Sequence, residues 1–152
     1  MRATPRRLRR IFNFWPPFLF SGIRVQQIAD DWRYAKVRLK LGWLNRNYVG
    51  THFGGNLFSM TDPFWMILVM ECLGRDYIVW DKAGEIEFVK PGREDVYAEF
   101  RVEQTVLDEL RAATANGDKY LRWFAVEVKT AGGEVIARVR KQLYVRKKAA
   151  QA

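Results

Sequence analysis

The sequence predicts an α+β domain in which an antiparallel sheet of five to six strands wraps around one long buried central helix. Residues 58–73 are almost entirely apolar, with Asp62 and Glu71 as their only charges, and a helix that is apolar on nearly all sides is a buried one. Several other segments alternate apolar and polar residues with a period of two, which is typical of strands with one buried face. A sheet that covers a single apolar helix is an α+β architecture.

The first twenty residues combine a helix signal with several aromatic side chains. Residues 5–14 are expected to form a short helix, since a proline such as Pro5 is tolerated in the first turn. Its aromatic residues are then expected to pack on the domain. Residues 15–18, Trp-Pro-Pro-Phe, are expected to form a rigid extended connector.

Strand and turn signals fill most of the remaining chain. Asp30 and Asp31 suit a hairpin turn, and Gly74 is a natural end for the apolar helix. Residues 45–55 have the composition of a loop, and a short exposed helix is expected near residues 107–116. The segments expected to form strands are 23–28, 34–41, 77–80, 85–89, 95–103, 120–130 and 135–145.

These signals predict one domain with distinct ends. We divide the chain into an N-terminal basic and aromatic helical segment at residues 1–20, a single domain at residues 21–148 and a tail at residues 149–152. The net charge of +9 is concentrated at the two ends, because residues 1–10 hold five arginines and residues 146–152 hold three basic residues, with no acid in either range. Basic ends around a nearly neutral body are typical of solvated tails, and we expect no nucleic-acid partner.

The chain contains one cysteine, Cys72, and one histidine, His52. An internal disulfide, a zinc-finger spacing and a multi-histidine metal site are therefore excluded. We expect no metal and no other cofactor. A single cysteine without a disulfide partner favours a reducing, cytoplasmic location.

One continuous segment carries the residues of a known active-site pattern. Residues 47–62, Asn-Tyr-Val-Gly-Thr-His-Phe-Gly-Gly-Asn-Leu-Phe-Ser-Met-Thr-Asp, resemble the active-site segment of hotdog-fold acyl-CoA thioesterases of the phenylacetyl-CoA and 4-hydroxybenzoyl-CoA type. In that family an asparagine precedes a Gly-Gly pair at the start of the central helix, and a catalytic acid follows inside the helix. Residues 86–92 resemble the family's third strand with its Lys-Pro turn, and residues 15–18 resemble an uncharacterised bacterial branch of the superfamily.

This resemblance implies a hotdog domain that hydrolyses an acyl-CoA thioester without a cofactor. It also implies a homodimer or a homotetramer made of two dimers. The active site then lies at the subunit interface, where the helix start of one subunit faces the acid of the other.

The aligned residues supply the two requirements of thioester hydrolysis. The amides of Gly54, Gly55 and Asn56, at a helix N-terminus, would polarise the substrate carbonyl. Asp62 would act as general base or as nucleophile, since an apolar environment disfavours the charged carboxylate and makes it a better base. Asn47 would orient the water or the carboxylate.

Other residues near this segment are candidates for substrate binding. His52 and Phe53 directly precede the glycine pair, and Trp65 lies in the apolar helix, where an aromatic side chain could line an acyl tunnel. Lys90 and Arg93 lie on a turn after a strand, where they could meet the phosphates of coenzyme A.

The chain departs from the family pattern at several positions. The family usually has histidine directly before Gly-Gly, where this chain has Phe53, and some members have Thr or Ser after the acid, where this chain has Met66 and Val69. A structural alternative also exists for Asp62, because Asp62-Pro63 suits a helix N-cap followed by proline at the first helical position.

Two other functions remain open at this point. The first is a non-catalytic binder of acyl-CoA or another lipid, with a peripheral membrane contact through residues 1–20 as one form of it. The second is a dehydratase or hydratase, because residues 52–55 are similar to the His-Phe-Pro-Gly of acyl-carrier-protein dehydratases. Those enzymes place a glutamate fourteen residues after the histidine, and this chain has Met66 there.

Overall fold

Six antiparallel strands form one sheet in the computed structural model, which describes residues 3–149. The tail predicted at residues 149–152 lies outside the described residues except for Ala149. The strands are β1 (Ile23–Ile28), β2 (Tyr34–Leu39), β3 (Tyr77–Phe88), β4 (Val96–Arg101), β5 (Lys119–Thr130) and β6 (Val135–Lys147). The helices are α1 (Pro5–Phe14), α2 (Pro16–Ser21), α3 (Gly54–Ser59), α4 (Phe64–Leu73) and α5 (Gln104–Ala113).

The strand order is β1-β2-β4-β5-β6-β3, which confirms the predicted α+β class. β1 and β2 form the predicted hairpin, and β5 and β6 pair over most of their length. β3 lies at one edge of the sheet and pairs with β6, with a bulge between Asp81 and Ala83. A bulge re-aims the side chains beside it, and this one lies next to the candidate site described below.

The aromatic connector predicted at residues 15–18 is a helix instead. Trp15 alone is extended, with φ −67° and ψ 124°, and Pro16 and Pro17 then begin α2. Proline suits the first helical positions because its missing N–H needs no partner there and its φ is already helical. The predicted extended connector is therefore wrong, because the two prolines begin a second helix where we expected them to prevent one.

The N-terminal helices pack on the rest of the protein, as the sequence predicted for their aromatic residues. The rings of Phe12 and Phe18 stack with centroids 5.3 Å apart, and Phe12 lies 5.9 Å from Phe64 of α4. The Asn13 side chain bonds both the N–H and the C=O of Val25 in β1, at 2.7 and 3.1 Å. The apolar side of α1 is thus part of the domain's interior.

The central helix is present but interrupted. α3 begins at Gly54, where the motif resemblance placed the helix start and four residues before the apolar run begins, and α4 begins only at Phe64. Pro63 has no N–H to bond Ser59, and the preceding amides form tighter bonds three residues back, from Thr61 to Phe58 and from Asp62 to Ser59. The break places Asp62 at the junction between the two helical segments.

The buried core lies between α4 and one face of the sheet. Phe64 and Trp65 pack on Phe100 of β4, with centroids 5.1 and 5.3 Å apart, and Trp65 also lies 5.0 Å from Phe124 of β5. Gly74, with φ 91°, ends α4 as predicted. Among residues 3–149, no helix is long and apolar enough to cross a membrane.

Candidate active site

The glycine pair forms the first turn of α3. As the first two helical residues, Gly54 and Gly55 have N–H groups without an acceptor inside the helix. The N–H of Asn56 donates instead to the Phe53 carbonyl at 3.0 Å. The expected third amide donor, Asn56, is therefore already engaged, and two amides remain for a substrate oxygen.

Two phenyl rings cover this helix start. A Cβ placed on Gly54 would lie 2.8 Å from Phe88 Cζ, and one placed on Gly55 would lie 2.5 Å from Phe53 Cε1. Phe53 and Phe88 are nevertheless 56% and 58% exposed. Phe88 stands at the end of the edge strand β3, beside Phe53 and the glycines. A larger residue at either position would displace one of these rings.

Asn47 organises the loop that precedes the helix. Its amide nitrogen donates to Thr51 Oγ1 at 2.9 Å and to the His52 carbonyl at 3.2 Å. Its oxygen accepts from the amides of Val49 and Thr51 at 3.2 and 3.0 Å. These four bonds use the hydrogen-bonding capacity of the side chain. The structure thus places Asn47 as a support for the loop, with no spare donor for the water that we expected it to orient.

His52 is buried beneath the same loop. Its residue is 4% exposed, its Nε2 lies 2.8 Å from the Glu94 carbonyl, and its ring packs so closely on Gly92 that a Cβ there would lie 2.8 Å from Cδ2. Burial lowers the pKa of the imidazole, which the Glu94 carbonyl and the nearby Asp95 partly offset. A histidine that acts on substrate must reach it within hydrogen-bond distance. The ring of His52 is out of reach, which argues against its expected contact with substrate and against the dehydratase alternative.

Asp62 is exposed and paired with a lysine. We expected apolar residues to enclose it, and among residues 3–149 they do not. Its side chain is 60% exposed, and its Oδ1 accepts a 2.6 Å bond from Lys141 Nζ. It does not cap α4, whose N-cap position is Pro63 and has no side-chain cap bond. The capping alternative is therefore wrong, and the carboxylate faces the solvent at the break in the central helix.

Lys141 is a functional candidate that the sequence reading missed. It is 4% exposed on β6, between Val139 and Leu143, where the strand's alternation places apolar side chains. Its Nζ also lies 3.4 Å from Asp81 Oδ2 and 5.5 Å from the Phe58 ring centroid. A lysine on the inner face of an alternating strand is the signal that could have identified it.

Asp81 completes this charged cluster. Burial raises the pKa of its carboxyl, while the Lys141 ammonium opposes that shift. Its Oδ1 is buried and has no hydrogen-bond partner among the described residues. Asp81 lies opposite the buried Leu143 in the register of β3 and β6, on the same inner face as Lys141, so one buried cation lies between two carboxylates.

The remaining predicted binding residues lie apart from this cluster. Trp65 is 5% exposed within the core and does not line an open surface. Lys90 is exposed on the turn after β3 and pairs with Glu134 at 2.6 Å, and Arg93 is exposed on the same turn. Both cations are accessible, but the turn is joined to the loop that holds His52, through the bond from the His52 N–H to the Gly92 carbonyl.

The helix start and the acid are too far apart within one chain to act on one carbonyl. Seven residues separate Gly55 from Asp62, which is about 10 Å along a helix with a rise of 1.5 Å per residue. Each group must come within about 3 Å of its reacting atom.

Cys72 is expected to be unreactive. It is half-buried on α4, and burial raises the pKa of its thiol to about 11, so the reactive thiolate is scarce at neutral pH. We expect the native protein to react with a thiol reagent at pH 8 at least tenfold more slowly than the same protein unfolded in denaturant. Equal rates in the two states, measured by the absorbance of the released chromophore, would contradict this burial.

The comparisons with known proteins agree with this architecture. A family model described as a domain of unknown function, DUF4442, matches residues 5–145. No curated protein sequence matches the chain. A Pseudomonas aeruginosa protein of unknown function, described as a probable thioesterase, is similar with a TM-score of 0.81 and 20% identity, over 94% of this chain and 96% of that one.

Two further solved structures are similar at lower identity. A Haemophilus influenzae thioesterase has a TM-score of 0.68 and 12% identity, over 97% of this chain and 93% of that one. The E. coli PaaI protein, from the phenylacetic acid degradation operon, has a TM-score of 0.64 and 15% identity, over 95% and 92% of the two chains. The shared architecture is the hotdog fold, which confirms the fold that the resemblance implied.

Proposed function

The chain belongs to the DUF4442 family and has the hotdog fold, and from this premise we propose that it is an acyl-CoA thioesterase. The observation that carries the proposal is the pairing of the Asp62 carboxylate with the buried Lys141 at 2.6 Å, one helical segment away from the glycine helix start. An exposed acid held by a buried cation is a fixed and accessible proton acceptor.

In the proposed reaction, Asp62 takes a proton from water while the water oxygen attacks the thioester carbon. The amides of Gly54 and Gly55 bind the oxyanion of the tetrahedral intermediate. The intermediate collapses by breaking the C–S bond, and the coenzyme A sulfur leaves with the electron pair and takes the proton from Asp62, which restores the carboxylate. Lys141 positions the carboxylate and does not touch the substrate. Direct attack by Asp62 would instead form a mixed anhydride, and a single turnover in ¹⁸O-water would leave label on Asp62 when water attacks the aspartyl carbonyl of that anhydride.

We place the complete site in a homodimer. β3 is a twelve-residue edge strand, and long unpaired edges are templates for pairing with another chain. Two copies that pair through β3 around a two-fold axis would bury Phe88 and bring each glycine helix start towards the partner. Two such dimers would form the homotetramer that the resemblance also allows. The distance of about 10 Å between Gly55 and Asp62 in one chain supports this arrangement.

Lys90 and Arg93 are the cations we assign to the phosphates of coenzyme A. Both are exposed on the turn that follows β3. The Lys90 pair with Glu134 is exposed on both sides, with side chains 57% and 51% exposed, and such surface pairs contribute little. Phosphate can therefore replace Glu134 as the partner of Lys90 at small cost.

The test is a thiol-release assay with short, long and aromatic acyl-CoA substrates, accompanied by a measurement of molecular mass in solution. Turnover by a dimer or tetramer is expected. The absence of turnover across the panel, in a protein that binds acyl-CoA by calorimetry, would overturn the enzymatic proposal.

A non-catalytic acyl-CoA or lipid binder is the second candidate. The observation that favours it is the same ion pair, because the bond from Lys141 occupies Asp62 Oδ1, one of the two oxygens that could accept a proton from water. Met66 and Val69 also leave no hydroxyl after the acid. Saturable binding of acyl-CoA with unchanged thioester after hours of incubation would support this candidate over the enzyme.

Gly55→Ala is expected to lower activity without lowering stability. Gly55 is helical without a positive φ, so alanine favours the helix by up to about 1 kcal/mol. The new Cβ would displace the exposed ring of Phe53, 2.5 Å away, and crowd the approach to the amide. We expect kcat/KM to fall at least tenfold while the midpoint of thermal unfolding stays equal or rises. Unchanged kcat/KM would contradict the role of this helix start in catalysis.

A further inference from the structure

We infer that the acyl group binds in a groove between the N-terminal helix pair and the interrupted central helix, an inference that rests on the proposed thioesterase function. The groove has a volume of about 400 Å³, within the range of about 300–1,000 Å³ typical of small-molecule sites. Its walls are mainly apolar. They come from Phe12, Trp15 and Phe18 on one side and from Phe58, Pro63 and Ile67 on the other.

The groove is continuous with the proposed reacting group. Asp62 lies in its lining, at the break between α3 and α4. A chain bound along the groove therefore has one end beside the carboxylate that acts on the thioester. The same interruption that exposes Asp62 also opens the space beside it.

The charge of the groove lining determines which part of the substrate can bind in the groove. Within residues 3–149, Asp62 is the only charged residue that lines the groove, and its other polar lining groups are Ser21 and Ser59. The phosphates of coenzyme A would meet a carboxylate and no cation in this space. The apolar acyl group is the occupant that its chemistry favours, and the nucleotide must lie outside it.

The groove is held open by rigid packing. Phe18 is 3% exposed, and its ring stacks on Phe12 at 5.3 Å and contacts Trp15 at 5.3 Å. Trp15 is held by the turn between α1 and α2 and remains 44% exposed. The prolines that begin α2 thus fix an aromatic wall opposite Ile67, and a wall of fixed position limits the length of the acyl group.

The experiment measures binding and needs no turnover. Calorimetry with thioether analogues of acyl-CoA, which cannot be hydrolysed, gives the dissociation constant for chains of four to sixteen carbons. We expect affinity to rise about fourfold for each added methylene, the factor that corresponds to about 0.8 kcal/mol per buried CH₂. The rise should stop when the groove is full.

Ile67→Trp and Ile11→Trp form a matched pair of variants. Ile67 lines the groove, whereas Ile11 is 49% exposed on α1 outside the groove lining. Ile67→Trp should fill the groove and shift the plateau to chains at least four carbons shorter, and Ile11→Trp should leave it unchanged. Trp15→Ala should shift the plateau to longer chains, which keeps the test decisive if Ile67→Trp fails to fold.

The outcomes separate this inference from the proposed function. Shifted plateaus in a protein that never releases thiol would support the groove and overturn the thioesterase. Hydrolysis with a chain-length dependence that neither groove variant alters would keep the thioesterase and overturn the groove. Affinity that is independent of chain length in the native protein would also overturn it.

Discussion

Asp62→Asn is expected to lower kcat by about 10³-fold and to leave the fold intact. A general base contributes about 10²–10⁴ to the rate, and an amide cannot accept a proton from water at neutral pH. Asparagine keeps an oxygen that can accept the bond from Lys141, and the position is 60% exposed. We therefore expect a change in unfolding free energy of about 1 kcal/mol or less.

Asp108→Asn is the matched control for this substitution. Asp108 lies on α5, where its carboxylate is exposed and accepts bonds from Gln104 and Arg111. The chemical change is the same, but the site is distant from the glycine helix start. Initial rates of thiol release and thermal unfolding, measured on both variants and on the native protein, give the comparison. An Asp62→Asn protein with more than a tenth of native kcat would refute Asp62 as the base.

The fold could be predicted because buried positions recur in the sequence with the period of a strand or a helix. The alternation in residues 135–145 indicates a strand with one buried face, and the apolar run in residues 58–73 indicates a helix that is buried on nearly all sides. Together they predict the sheet and the helix that it wraps. The apolar run alone placed the start of the central helix too late, because Gly54 and Gly55 disfavour a helix on their own, whereas the motif resemblance placed it correctly at the glycine pair. Tertiary packing overrides that preference here, with Phe53 and Phe88 lying on the two glycines.

The candidate site could be predicted only where its residues are neighbours in the chain. The segment 47–62 contains the loop, the helix start and the acid, and its pattern identified them together. Local geometry then changed the roles within it. The Asn47 side chain bonds its own loop, and the buried His52 bonds the Glu94 carbonyl in the loop between β3 and β4. Such hydrogen bonds depend on the path of the loop, which a motif does not specify.

The charged partners of the acid come from distant parts of the chain. Lys141 lies 79 residues after Asp62, and the two meet because β6 passes beneath the break in the central helix. Asp81 joins them because β3 pairs with β6 in a register that places it opposite the buried Leu143, on the face that carries Lys141. Lysine at an inner strand position was visible in the sequence as an exception to the alternation. Its partners, Asp62 and Asp81, could not be identified in the same way, since strand order and register are properties of the folded sheet.

Lys141→Met is expected to lower the free energy of unfolding by about 3 kcal/mol at pH 7.5. Removing one partner of a buried ion pair typically costs about 3–5 kcal/mol because the other charge stays buried. Methionine is unbranched and only one atom shorter than lysine, so it fills most of the same space beside Phe58. The half-buried Asp81 would then be ionised without a cation, and its Oδ1 already has no partner among the described residues. The exposed Asp62 would lose its positioning bond, so kcat should also fall.

This loss of stability is expected to shrink as the pH falls towards 5. Burial already raises the pKa of the Asp81 carboxyl in the native protein, and removing Lys141 takes away the cation that opposes the shift. A carboxyl whose pKa is higher in the folded than in the unfolded state favours folding when protonated, and that contribution disappears as the pH rises through the folded value. Denaturant unfolding of the variant at pH 5.0 and 7.5 measures the difference.

Two further variants identify the buried charge as the cause. Lys141→Met combined with Asp81→Asn removes the cation and the carboxylate together, and it should recover at least half of the lost unfolding free energy. Lys129→Met, on the exposed pair with Glu127, makes the same chemical change on a neighbouring strand and should cost less than about 1 kcal/mol. If Lys141→Met costs no more than Lys129→Met, the cluster is not a buried ion pair in solution. Asp62 would then lose the fixed partner on which its proposed role as a base depends.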